Sequence, residues 1–127
     1  MEDFITYELA VKLKEKGFRK PCILYYNSDK VRTWFNEPDI AKNFIPTTLG
    51  NDDVLAPTIS QVLKWLRDKF FLHISQKPYS CEDGLMWMYE IRKFNKYIIF
   101  VIANKTGFVK EEQATLAGIE YVLDNLI

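Results

Sequence analysis

Few residues in this chain could perform covalent or metal chemistry. It contains one histidine, His73, and two cysteines, Cys22 and Cys81. A nucleophilic triad would have to use His73, which directly follows an apolar helix end, and nothing marks Cys81 as an activated nucleophile. Two cysteines and one histidine without C-x-x-C spacing make an ordinary structural zinc site only if carboxylates complete it. We therefore predict no catalytic residue and no metal site, with a structural or surface role for His73.

The five glycines do not form a phosphate-binding loop. Neither G-x-x-x-x-G-K-[ST] nor G-x-G-x-x-G occurs in the chain, and such loops hold nucleotide phosphates through their backbone N–H groups. Most nucleotide enzymes built on these loops are thereby excluded, and the sequence predicts no cofactor.

One set of carboxylates is similar in pattern to metal-dependent nucleases, which hold Mg²⁺ with carboxylates on neighbouring strands. Asp83, Glu90 and Arg92 lie on or beside one predicted strand, and Pro38-Asp39 precedes them. Arg92 would replace the usual lysine of that pattern. Because such pairs arise by chance in any amphipathic hairpin, a nuclease ranks third among the functional hypotheses.

A basic cluster at a predicted hairpin tip supports a second hypothesis. Arg92, Lys93 and Lys96 bring three positive charges together, with Phe94 between them. Cations can contact phosphates while an aromatic ring stacks on a base. The chain as a whole has seventeen basic and seventeen acidic residues, and this balance disfavours a general nucleic-acid or membrane-surface binder. Nucleic-acid binding at the tip is therefore the alternative hypothesis.

Hydrophobic periodicity and turn residues predict the elements that position these groups. Thr58 and Gln61 form a Thr-x-x-Gln capping box at the start of a helix, and Gly17 followed by Phe18 is typical of a Schellman helix end. Gly118 in mid-helix indicates close packing. The fold predicted is α+β, with three helices packed on a largely antiparallel sheet of four to five strands in two hairpins. The helices are expected at 4–16, 59–71 and 110–126, and the strands at 22–27, 31–36, 73–75, 85–92 and 96–103.

One predicted strand is apolar on both faces. Ile98 to Ile102 carry no polar side chain, so both faces of the strand must be covered, by helices of the same chain or by a second subunit. Three Trp, seven Tyr and nine Phe also leave aromatic or Met surface beyond the core, and interfaces are enriched in such residues. Met86, Met88 and Trp34 are the predicted partner-binding residues, and we expect a homodimer or another protein partner.

Length and composition indicate one soluble domain. The chain has 127 residues, 48% hydrophobic and 27% charged, which is an ordinary globular balance. We predict a single domain over 1–127 with a mobile loop at about 46–56. The acidic start differs from a signal peptide, the apolar run from Tyr97 to Ala103 is too short to span a bilayer, and the cysteines suit reduced thiols. These features predict a cytoplasmic protein without membrane contact.

Several segments resemble small uncharacterised proteins from gut-bacterial and prophage genomes. The resemblance rests on Ala56-Pro-Thr58 opening a helix with Trp65-Leu-Arg67, then His73-Ile74, Trp87-Met-Tyr-Glu-Ile91 and Ala117-Gly-Ile119. It covers residues 56–127 well and 4–127 loosely. It implies an intracellular protein of a mobile element or its host, and it brings no activity and no catalytic residue. The leading hypothesis is therefore protein–protein binding by a non-enzymatic, cytosolic, prophage-encoded protein.

Overall fold

A computed structural model of the chain describes residues 3–20, 22–34 and 53–127. Over these residues the α+β class, the antiparallel pairing and the three helices are confirmed. The strands form two separate three-stranded sheets instead of one sheet of four to five strands. In chain order the elements are α1 (Tyr7–Glu15), β1 (Leu24–Tyr26), β2 (Arg32–Trp34), β3 (Val54–Leu55), α2 (Ile59–Phe70), β4 (Leu72–Cys81), β5 (Gly84–Phe94), β6 (Ile99–Phe108) and α3 (Glu111–Asn125).

The chain divides into two compact units, Met1–Val62 and Leu63–Ile127, with the boundary inside α2. The first unit contains the sheet in the order β2-β1-β3, and the second contains the sheet in the order β4-β5-β6. The single domain expected over 1–127 stays a prediction.

Helix α1 ends as the sequence predicts. Gly17 has a φ of 87°, and the N–H of Phe18 donates to the carbonyl of Leu13 at 3.0 Å, as in a Schellman motif. The start of the helix was predicted too early, because Phe4 forms an isolated antiparallel bridge with Thr58. A bridge to a residue so far along the chain is invisible to helical periodicity.

The first sheet is built on the predicted hairpin of β1 and β2. The Asn27 carboxamide oxygen accepts from the N–H groups of Asp29 and Val31, which closes the turn. Strand β3 pairs with the other side of β1 and is buried, although the sequence indicated a mobile loop at 46–56. A strand of two residues has too short a pattern to predict, and residues 46–52 lie outside the described residues.

The predicted capping box opens α2. The N–H of Gln61 donates to Thr58 Oγ1 at 3.1 Å, and the N–H of Thr58 donates to Gln61 Oε1 at 2.9 Å. Each side chain thus satisfies a backbone donor that the first helical turn leaves without a partner. The helix ends at Phe70, and Phe71 has a left-handed φ of 57°.

The second sheet is a meander whose outer strands are longer than predicted. Strand β4 covers ten residues where a short strand at 73–75 was expected, because Lys77 and Pro78 interrupt the strand pattern. An edge strand tolerates proline, since its outward N–H is not needed in the ladder. Strand β6 runs over 99–108 instead of 96–103, and two register shifts between β5 and β6 interrupt the side-chain alternation.

Helix α3 packs closely on one face of this sheet. A Cβ atom added to Gly118 would lie 2.9 Å from Ile74 Cγ2 and 3.3 Å from Tyr89 Cγ, which confirms the close packing predicted at Gly118. On the same face the Gln76 amide donates to Thr115 Oγ1 at 2.8 Å. Burial, more than the nearby Tyr121, raises the pKa of Tyr89. The glycine therefore sets how near the helix lies to the sheet.

The two thiols should differ strongly in reactivity. Cys22 is buried and burial raises its pKa to about 12, whereas Cys81 is exposed at the end of β4. Because the thiolate is the nucleophile, we expect one thiol per chain to react rapidly with Ellman's reagent in the folded protein and both to react in denaturant. Cys81→Ser should remove the rapid reaction. Two rapid thiols in the folded wild type would contradict the burial of Cys22.

Candidate protein-binding surface

Five consecutive apolar residues are exposed where the chain enters β6. They are Tyr97, Ile98, Ile99, Phe100 and Val101, with exposed fractions from 46% at Phe100 to 84% at Tyr97. We call these five residues the β6 edge. Among the described residues no helix buries them; a second subunit is the other cover expected from the sequence.

The backbone of the β6 edge also offers hydrogen-bonding groups. Phe94 lies opposite Ile99 in the ladder, yet its N–H donates to the carbonyl of Phe71 on the β4 side, at 3.1 Å. The pair of Phe94 and Ile99 is therefore a non-hydrogen-bonded pair, and the N–H and C=O of Ile99 point away from β5. The same groups of Val101 follow by alternation. Outward backbone groups beside apolar side chains are what an added strand binds.

The opposite edge of the same sheet carries the usual protection. Strand β4 includes Lys77 and Pro78, and a charge and a proline are features that discourage edge-to-edge pairing. Residues 99–103 of β6 contain neither, and the charge of this strand, Lys105, lies further along it. The first half of β6 is thus the less protected edge of this sheet.

Glu90 lies at the centre of the sheet face opposite α3, with a side chain 12% exposed. The Lys77 ammonium lies 3.2 Å from Oε2, and the Arg92 guanidinium donates to Oε1. The hydrogen bond from Arg92 and then that from Lys77 lower the pKa of Glu90, against the opposing effect of burial. With both oxygens engaged and the ionised form favoured, this carboxylate suits a structural ion pair better than proton transfer. His73, half-buried, lies opposite Arg92.

The two described carboxylates of the nuclease hypothesis, those of Asp83 and Glu90, lie far apart. Asp83 lies in the exposed turn before β5, seven residues from Glu90, which is roughly 20 Å along an extended strand. Pro38 and Asp39 fall outside the described residues. Over 3–20, 22–34 and 53–127, no three His, Cys, Asp or Glu side chains are grouped closely enough to hold a metal ion.

The basic tip is assembled, but two of its four members are engaged elsewhere. Arg92 is paired with Glu90, and the Phe94 ring packs edge-on against Phe71 with ring centres 5.8 Å apart. Lys93 is exposed, and the Lys96 ammonium lies over the ring of Tyr97. The tip therefore offers fewer groups to phosphates and bases than its sequence indicated.

The three residues predicted to bind a partner lie in both units. Met86 and Met88 are half-buried on the sheet face opposite α3 in the second unit, and Trp34 ends β2 in the first unit. The side chain of Trp34 is not among the described ones. From the sequence, helices or a second subunit were expected to cover the apolar run 98–102, but residues of the β6 edge were not named among the partner-binding residues.

Comparisons of the chain with protein-family models, with curated proteins and with solved structures found no match. No helix among the described residues is long and apolar enough to cross a membrane.

Proposed function

We propose that this chain acts by protein–protein binding, not by catalysis, and that the β6 edge is its contact surface. The observation that carries the proposal is the coincidence of five exposed apolar side chains with the outward backbone groups of Ile99 and Val101. Burying apolar surface contributes about 25 cal/mol per Å². Aromatic enrichment and absence of charge are features of interface centres. The resemblance to prophage proteins supports a cytoplasmic setting for this binding.

Nucleic-acid binding at Arg92, Lys93, Phe94 and Lys96 draws no support from the geometry. A guanidinium already paired with Glu90 and a ring already packed on Phe71 would have to leave their partners before contacting a nucleic acid.

Binding through the β6 edge can be tested by replacing two of its residues. Ile99→Lys with Val101→Lys places two charges on the exposed edge without touching the core. We expect the tagged wild type to retain protein partners, including untagged copies of itself, from cells that express it. The amount of protein retained by the double variant should be at least about tenfold lower. Quantitative mass spectrometry after mild crosslinking measures both.

Leu85→Lys is the matched control, because Leu85 is 62% exposed on β5 and lies outside the β6 edge. This variant should retain the same proteins as the wild type. Equal retention by the double variant, with circular dichroism unchanged, would overturn the proposal.

A further inference from the structure

We infer that the β6 edge binds a second copy of this chain, strand to strand and antiparallel, in a register centred on Phe100. The two copies of the β4-β5-β6 sheet would then form one six-stranded sheet around a two-fold axis. The inference rests on the proposed protein-binding function and names the partner.

The backbone limits the possible registers. Only Ile99 and Val101 among the strand residues of the β6 edge direct their N–H and C=O groups outward, while those of Phe100 face β5. Hydrogen bonds form between outward groups of both copies. A two-fold axis must therefore pass through a residue, because an axis between two residues would set outward groups against inward ones.

The outward backbone groups select one of these registers. With the axis at Phe100, Ile99 lies opposite Val101 of the second copy, so the outward groups of both residues meet outward groups, and apolar side chains lie opposite apolar ones. An axis at Ile99 would set Val101 opposite Tyr97, whose N–H already donates to a side chain within the turn before β6. An axis at Val101 would set Ile99 opposite Ala103, which lies beyond the register shift and pairs with β5.

The area predicts a weak, reversible dimer. Aromatic side chains bury about 150–250 Å² each and aliphatic ones less, so the exposed fractions of the β6 edge amount to roughly 400–500 Å² per copy. Edge-to-edge pairing leaves the two faces of the sheet open and buries only part of this area, so two copies would bury less than about 1,000 Å², at the low end for specific association. We therefore expect dissociation in the micromolar range, within reach of sedimentation and crosslinking.

Disulfide trapping tests both the partner and the register. In a Cys81→Ser background, Phe100→Cys should give a crosslinked dimer under mild oxidation. Non-hydrogen-bonded antiparallel pairs have Cα atoms about 4.5 Å apart, within the range of a disulfide. Ile99→Cys is the matched control. In this register its two copies are diagonal neighbours, about 7–8 Å apart, so it should crosslink at least about fivefold less.

Sedimentation over a wide micromolar range supplies the second measurement. The wild type and Leu85→Lys should dimerise reversibly, and Val101→Lys should weaken the dimer at least about tenfold, because the two-fold axis repeats the substitution at both ends. More crosslinking at Ile99→Cys than at Phe100→Cys would overturn the register. Leu85→Cys in the same Cys81→Ser background gives the level of nonspecific crosslinking. A monomer at every concentration, with no crosslinking of Phe100→Cys above that level, would overturn the self-association. If such a monomer still retained another protein through the β6 edge, the proposed function would stand and this inference would fail.

Discussion

Replacing Gly118 by leucine is expected to lower the free energy of unfolding by about 2–3 kcal/mol, since overpacking outweighs the helix propensity gained by removing a glycine. Even a Cβ at this position would lie 2.9 Å from Ile74 Cγ2, and Ile74 is itself buried. The Cβ and Cγ atoms of Tyr89 also lie within 3.5 Å of this Cβ position. Because these atoms are next to the backbone of Tyr89, a change of rotamer moves them little. Chemical denaturation followed by circular dichroism measures the change.

Two further variants show whether the close contact causes this loss. Ala117→Leu changes the neighbouring, half-buried residue of α3 and should cost less than about 1 kcal/mol. Gly118→Ala should be less destabilising in an Ile74→Ala background than in the wild type, because Cγ2 is then absent. Additive effects of these two substitutions would show that Gly118 and Ile74 are not in contact.

Replacing Glu90 by glutamine is expected to cost about 1–2 kcal/mol at neutral pH. Charge-assisted hydrogen bonds are worth more than neutral ones, but Lys77 and Arg92 are partly exposed, which reduces the value of both ion pairs. The pKa of Glu90 is lower in the folded chain than its usual 4.5, so its ionised form stabilises the fold above that pH. This stability is lost as the pH falls below 4.5 towards the folded pKa.

The difference between the wild type and Glu90→Gln should therefore shrink as the pH is lowered from neutral to about 3. Glu82→Gln, which changes an exposed turn residue, should alter stability by less than about 0.5 kcal/mol at either pH. A constant difference between wild type and Glu90→Gln across this range would show that the two ion pairs contribute nothing.

Parts of the structure that depend on neighbouring residues could be predicted from the sequence. The capping box of Thr58 and Gln61, the end of α1 at Gly17 and the turn after Asn27 each involve groups within five residues of one another. Their hydrogen bonds form wherever the local backbone allows, so the residue types alone specify them. The close packing at Gly118 could also be predicted, although its partners could not. A glycine inside a helix lowers helix stability, and close packing against a neighbouring element can offset that cost.

Parts that depend on which strands meet could not be predicted. The sequence indicated one sheet, and the separation into two sheets follows from pairings over long distances, such as that of β1 with β3. The strand predicted from the sequence ended at residue 75, short of the full β4. Pro78 is compatible with a strand only at the edge of a sheet, and the sequence does not show that β4 is an edge strand. Whether β4 is an edge depends on the other strands.

The proposed binding surface depends on both kinds of information. The sequence shows the apolar run 98–102 and predicts that helices or a second subunit cover both of its faces. Only the tertiary structure places β6 at the edge of its sheet, leaves 97–101 exposed and turns the N–H of Phe94 towards Phe71. Strand order and the direction of the backbone groups depend on hydrogen bonds between segments far apart in the chain. Side-chain periodicity does not indicate which segments form these bonds.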